Sequence, residues 1–458
     1  MPLSQIYPLP TVDLRQNTDV KEAIGLANDA AIAETWSVLH HDCGANLSGY
    51  QLPMEDMTTM QIDHRPIRTV SVRDVDALSA HADAWDRLGR SAPQRLPTLL
   101  PDWMDAFFRH RVGEQQSWFC TFAYLGDRLI GVLPVVVSPH PIFGRARPLL
   151  MTPSDDITNS GDILLATEHA HEALTALLQE VLREQPAYLE LLLPAVRQTS
   201  PLWAATAVGL PEHVVMKGRV CRYSKIDVAA GEKAYLDGLG QLKRNLRRYR
   251  KKLDERGPVS VEILTDEAAE PGFIHEFLEL EASGWKGRHG SAIIQQPKDA
   301  AFYTRLVETF AARGRLEWHV IRVAGRVVAA GMGLRCGASV ALPRIAFDET
   351  YSDCAPGTLL TGEVNAEAFR RGHLIELNHL SEAAWHRNWN MPQEEYVNLH
   401  LVRRSFTARL FHQTVVASRI FWHEDLKRRI SPEVKTRIKA LIRRGKATQS
   451  KHRRPSIQ

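Results

Sequence analysis

In this 458-residue sequence, the segment Ala355-Pro356-Gly357-Thr358-Leu359 is well suited to hold an anion. Proline costs nothing at a first helical position, because the N–H it lacks would have no partner there. Gly357 leaves room for close backbone approach, and Thr358 adds a hydroxyl. A helix that starts here turns free N–H groups and a partial positive charge outward, which suits a pyrophosphate. Pro356, Gly357, Thr358 and Leu359 are therefore the candidate cofactor-binding residues. Three further side chains nearby can move protons. His379 has the intrinsic range of a general base near neutral pH, with Asp348 and Glu376 behind it. Tyr351 can protonate a leaving thiolate. His379, Tyr351 and Asp348 form the candidate catalytic set. Cys354 has no His/Asp partner at a suitable spacing, so it is not expected to be a nucleophile. The chemistry such a set can do is direct group transfer to an amine or hydroxyl, with a backbone N–H holding the oxyanion.

Cations lie within reach in the sequence. Residues 243–256 hold eight Lys/Arg against Asp254 and Glu255. Leu242, Leu246, Tyr249 and Leu253 step by four, three and four, so 232–256 reads as one amphipathic helix with a basic outer face. That face, including Arg247 and Arg248, is either an ordinary solvated surface or a platform for an anionic ligand. Gly257-Pro258 ends it. Only Tyr249 interleaves the basic run, which argues against base-stacking readout of single-stranded nucleic acid. A helix over 273–293 ends in Trp285-Lys286-Gly287-Arg288-His289-Gly290. Trp285 and Lys286 can contact substrate there, or simply cap the helix.

The elements that must position these groups come in two similar runs. In the first, helices are expected over 74–90 and around 101–111. Two strands follow over 117–137 around Gly126-Asp127, then a helix over about 168–184 and an apolar strand over 188–194. In the second, strands over 318–334 turn at Gly325-Arg326. A third strand runs over 339–348, a helix over 356–372 stops at Gly372, and an apolar strand spans 373–380. The shared order of hairpin, helix and strand implies a duplication. The fold class is α/β (α+β), as two mixed, mainly antiparallel sheets flanked by helices. The expected division is a lead-in over 1–68, a first unit over 69–224, a second over 225–400 and a basic helical tail over 401–458.

Composition sets the outer limits. Hydrophobic residues make up 44% and charged residues 24%, enough for packed cores. No run approaches the roughly 18 apolar residues of a membrane helix. The start lacks a basic-then-apolar signal pattern, so a cytoplasmic location is expected, with peripheral contact at an inner membrane as an option. Five cysteines, odd in number and widely spaced, fit neither a disulfide framework nor a zinc motif, so no metal is expected. The net charge of +4 conceals a tail: residues 427–458 carry twelve Lys/Arg and one acid, a net of +11. An amphipathic patch at 415–444 and the basic stretches 243–256 and 427–454 can attract tRNA or an anionic membrane surface.

Four segments carry a family resemblance: LKRNLRRYRKKLDERGPV (242–259), LEASGWKGRHGSAI (280–293), the hairpin at 318–334, and AFDETYSDCAPGTLL (346–360). They resemble the FemAB-like branch of the GNAT acyltransferases, and more closely the group called CelD/BcsL-like acetyltransferases. The likeness runs along about 75–400 and is strongest over 240–390. It implies tandem GNAT-like domains, the first degenerate and serving the acceptor side. It implies acyl transfer from acetyl-CoA or another acyl thioester, an acyl carrier protein included. The implied acceptor is a sugar, lipid-linked or peptide group of a polysaccharide or the envelope. Two other readings stay open: FemAB-type transfer from charged tRNA, and a non-catalytic scaffold. The sequence departs from the family at Asn378-His379-Leu380-Ser381, where an acid and a lysine are usual, and its Pro-Gly turn is poorer in glycine and basic residues than the usual donor turn.

Overall fold

The computed structural model describes residues 66–140, 143–408, 410 and 412, all within the unit His64–Gln458. The lead-in up to residue 65, with Cys43, and the basic tail from 413, with the 415–444 patch, lie outside the described residues.

The first half opens with β1 (Ile67–Val72), α1 (Ala82–Ser91) and α2 (Pro101–His110). It continues with β2 (Ser117–Leu125), β3 (Arg128–His140), β4 (Gly144–Met151), the short β5 (Leu164–Leu165), α3 (Ala170–Glu184), β6 (Glu190–Arg197), α4 (Leu202–Ala207) and β7 (His213–Asp227). The second half runs α5 (Glu232–Asp237), α6 (Gly240–Asp254), β8 (Val259–Thr265), α7 (Ile274–Ser283), α8 (Trp285–Arg288) and α9 (Pro297–Ala312). Then come β9 (Leu316–Val323), β10 (Arg326–Cys336), β11 (Ser339–Phe347), α10 (Pro356–Arg370), β12 (Glu376–Asn378) and β13 (Gln393–Arg403).

The duplication is visible in the topology. Each half has a strand, two helices, an antiparallel meander, a helix, and a strand parallel to the meander's last: β4 beside β6, and β11 beside β12. The helices α2 and α9 hold equivalent places and pack on each other through Trp103 against Phe302. Arg305–Asp105 at 2.6 Å and Arg313–Asp102 at 2.9 Å brace the same contact.

Several expectations change. The long helix expected over 232–256 is two helices, broken at Gly238–Leu239; Gly240 starts the second at φ +33°. The helix expected over 273–293 stops at Ser283, because Gly284 is extended and turns the chain into the single turn α8. The last apolar strand is only β12, three residues long, since Leu374 and the flanking backbone serve a loop. The expected division at 224/225 falls inside β7, a strand that pairs with β13 over its first part and with β12 at its end. β13, from the far end of the described chain, lies between β6 and β7, so one continuous path of strands runs β1-β2-β3-β4-β6-β13-β7-β12-β11-β10-β9-β8.

Where these strands meet, Arg197 is buried completely. Its guanidinium donates to both oxygens of Glu376, at 2.8 and 2.7 Å, and to both oxygens of Glu394, at 3.0 and 2.7 Å. Lys225 lies 3.1 Å from Glu394. The partners come from β6, β12, β13 and β7. Burial alone would raise the Glu376 pKa; the hydrogen bonds and charge of Arg197 outweigh it and hold the carboxyl below its usual value, and Glu394 behaves likewise.

Arg197→Met is expected to cost about 3–5 kcal/mol, because it strands two buried carboxylates. Because both carboxyls have folded pKa values below the ordinary 4.5, their stabilisation is complete above that pH and is lost as pH falls through the folded values. Urea midpoints should fall with acid in the wild type and less steeply in Arg197→Met.

Candidate functional site

The parallel pair β11–β12 holds together only from Ser339–Glu376 to Ala341–Asn378. Beyond it the two chains part. A bulge in the β10–β11 ladder, opposite Leu342 and Pro343, turns β11 away, while Leu380 takes a positive φ of 49° and turns the other chain. That turn is pinned: Asn378 Oδ1 accepts from Leu380 N–H at 2.8 Å, and Asn159 donates to the Leu380 carbonyl at 2.8 Å. The wedge between the strands is a cleft of about 190 Å³. Leu342 to Ile345 form one wall, Leu360, Thr361 and Val364 of α10 another, and Lys286, His319, His379, Ser381, Trp385 and His386 the rest.

α10 begins as expected at Pro356, after Ala355 in the left-handed region at φ +47°; Pro356, Gly357, Thr358 and Leu359 do not line the cleft, which α10 meets from Leu360 on. Its first turn carries no acid. A Cβ on Gly357 would sit 3.2 Å from the ring of exposed Phe347, a tight contact that the ring can relieve by a small shift. Leu359 differs from its expected role: its side chain is buried in the core and leaves only its backbone toward the turn. The apolar face of α6 packs on α10, with Leu246 against Gly362. This brings the end of the basic helix to the turn before α10. Arg256 pairs with Asp353 at 3.3 Å, and the Lys252 charge is felt at Asp353 and Cys354. Arg247 and Arg248 stay exposed on α6, Arg248 stacked on Tyr249.

The expected catalytic set is not gathered in one place. His379 lines the cleft, but Tyr351 and Asp348 do not. The carboxylate of Asp348 accepts from Thr350 N–H at 2.9 Å, from the Thr350 hydroxyl at 2.7 Å and from Arg326 at 2.7 Å. It caps the turn that leads to α10. Glu376, expected behind His379, is held by Arg197. Tyr351 lies under the guanidinium of Arg256. His379 therefore has no carboxylate partner. Burial, then the neighbouring His386, push its pKa down to about 3, and burial takes His386 to about 4. His379 Nε2 is buried without a hydrogen-bond partner. At neutral pH this imidazole is an uncharged hydrogen-bonding group with little proton affinity.

Another histidine has what His379 lacks. His319 on β9 lies in the same cleft, with Nε2 3.1 Å from Glu317, and Arg371 donates to Glu317 at 2.6 Å. Burial would raise the Glu317 pKa, but His319 and Arg371 bring it down to about 2, so it remains a carboxylate. The ring fits because β10 has glycines opposite it; a Cβ on Gly333 would stand 2.9 Å from His319 Cε1. Nothing in the sequence pattern singles out this pair. His319 looked like one residue in an apolar strand, and only the β9–β10 register shows it facing two glycines. Trp285 is 54% exposed and its N–H donates to Glu349 at 2.8 Å, so this loop is tied to the turn before α10. Lys286 is held by Glu281 and projects into the cleft.

Two parallel strands that splay beside a helix N-terminus are the core of the GNAT acyltransferase fold, and the second half has that layout. Residues 240–380 match the family model described as acetyltransferase (GNAT) domain. The match covers less than half of the chain. No curated protein matches at a significant level. Solved structures with distant likeness include FemX, at 12% identity and a TM-score of 0.47 over 69% of this chain and 95% of that one. The C-terminal domain of a putative lysylphosphatidylglycerol synthetase from Agrobacterium fabrum gives 10% and 0.45 over 74% and 96%. A tandem GNAT protein from the clavulanic acid biosynthesis pathway gives 13% and 0.37 over 74% and 99%. None of the described helices is long and apolar enough to cross a membrane.

Two outcomes follow from the site. Gly333→Ala should push the His319 ring off Glu317 and cost about 1–3 kcal/mol in urea unfolding. The low pKa values of His379 and His386 mean that the unfolded chain takes up protons below about pH 6.5 that the folded chain refuses. Stability should therefore be unaffected by these groups above that pH and decline as pH falls from 6.5 toward 4. His379→Gln should flatten that decline when urea midpoints are compared between pH 7.5 and 5.

Proposed function

We propose that the protein moves an acyl group from a thioester donor to an amine or hydroxyl acceptor in the β11–β12 cleft. The observation that carries this is the wedge itself, opening beside an acid-free helix start that is backed by Lys252 and Arg256. A donor's pantetheine arm fits along the free edge of β11, and its phosphates fit the turn at Pro356, Gly357 and Thr358. Acetyl-CoA is the simplest such donor; a longer acyl-CoA or an acyl carrier protein offers the same arm.

His319 is the base in this reading. Glu317 accepts from Nε2–H, so the lone pair on Nδ1 can take the acceptor's proton as the acceptor attacks the thioester carbon. The C–S bond then breaks, and the thiolate leaves and is protonated. Tyr351, expected from the sequence as that proton's donor, lies outside the cleft, so solvent supplies the proton. Neutral His379 gives a hydrogen bond to the reacting groups, and Trp285 and Lys286 border the acceptor's approach. The division of labour has the second half, about 225–400, carrying the chemistry and the first, about 69–224, serving the acceptor side. Its α3 begins at His169–Ala170 with Glu172 in the first turn, a poor anion site. The resemblance to CelD/BcsL-like proteins supports a polysaccharide- or envelope-related acceptor.

Thermal shift with acetyl-CoA, longer acyl-CoA, acyl carrier protein and charged tRNA tests this. Stabilisation by a thioester donor is expected, and Gly357→Val should abolish it while retaining the fold. His319→Asn should keep donor stabilisation and lower thiol release with an acceptor by about 10²–10⁴-fold. Stabilisation by tRNA alone would replace this reading with aminoacyl transfer. No response to any donor would leave a binding protein.

A further inference from the structure

A second cluster of chemically active side chains lies where β6 of the first half meets β13, at positions the cleft does not reach. Glu190 opens β6, and Val402 of β13 is its direct partner in the ladder. His400, two residues from Val402, therefore projects from the same face as Glu190. Its Nδ1 lies 2.5 Å from Glu190 Oε1. A third group arrives from beyond the sheet: His412 Nδ1 lies 2.9 Å from Glu190 Oε2. The two imidazole centroids are 5.3 Å apart, at 69° to each other.

The site is built by its neighbours. Gly218 on β7 lies beneath His400, where any Cβ would run into Nε2 and stand 2.8 Å from Cδ2. The carboxylate and both rings are largely enclosed, Glu190 and His400 at 16% side-chain exposure and His412 at 9%. One ligand atom from each of the three residues lies within 4.8 Å of the others.

We propose that Glu190, His400 and His412 form a zinc-binding site that clamps His412 onto the ends of β6 and β13. Two imidazole nitrogens and one carboxylate oxygen are the ligand set zinc favours, and a water completes the tetrahedron. Tetrahedral bonds of about 2.0–2.2 Å set ligand atoms about 3.4 Å apart, so with Oε1 as the ligand the His400 Nδ1, now 2.5 Å from it, must withdraw by about 1 Å. On binding, each ring changes tautomer: the proton its Nδ1 shares with Glu190 moves to Nε2, and the freed Nδ1 lone pair binds zinc, so both imidazoles stay neutral. In this role the ion braces the fold, with the water-filled fourth position left open. It holds β13 at its outer end, as Arg197 holds it at the other. The spacing of the ligands hides the site from sequence, since Glu190 lies 210 residues before His400.

Tag-free, full-length protein stripped with a chelator and dialysed provides the test. Titration calorimetry with zinc should give about one site per chain, and zinc should raise the melting temperature. Cobalt in its place should show the visible bands of a tetrahedral site. Glu190→Gln and His412→Gln should each weaken zinc uptake at least tenfold, with folding checked by circular dichroism. His386→Gln, in the separate histidine cluster of the cleft, should leave uptake unchanged. Stripped wild-type protein that takes up no zinc overturns the proposal, and the three residues are then a hydrogen-bonded cluster. Equal uptake by the variants overturns it too, as does loss of uptake in His386→Gln alone.

Discussion

Everything in this protein hangs on a charge that is expensive to bury. Arg197 has no contact with water, and only two carboxylates at bidentate distance make its position tolerable. Those carboxylates arrive on β12 and β13, strands that follow the arginine by almost two hundred residues. The ion cluster therefore exists only when both halves of the chain have met. It also selects register: a slip of one residue in β13 would turn Glu394 to the opposite face and leave a buried cation unpaired.

The same junction shapes the cleft. Glu376 and Asn378 are neighbours on β12, and Asn378 fixes the turn at Leu380 that parts the chain from β11. Stability and opening thus share three residues of strand. β12 is short because its backbone must pair with β11 for only that length and then leave. On the far side, α10 walls the wedge and α6 packs on α10, which brings Arg256 to Asp353 in the turn before α10. The first half repeats the topology but lacks an acid-free Pro-Gly helix start.

The expectations that held were those carried by local pattern. The hairpins at Gly126 and Gly325, the helix start at Pro356 and the amphipathic face from Leu242 to Leu253 all depend on residues close in sequence. Those that changed involve a single glycine or a distant partner. Gly238 and Gly284 break helices whose apolar spacing runs on past them. Asp348 and Glu376 carried the right chemistry for a base's partner, but caps and ion pairs claimed both. His319 was invisible because its significance lies in the glycines on the neighbouring strand.

By itself, the sequence determined the element types, the duplication, the basic helix and the helix start at Pro356. All of these follow from side-chain period, turn chemistry and capping, which act over a few residues. Tertiary structure decided which histidine gained a carboxylate, which carboxylates were spent on Arg197, where β11 and β12 part, and that β13 completes the first half's sheet. These outcomes rest on register and burial between segments far apart in the chain, and a one-dimensional pattern carries no distance between such segments.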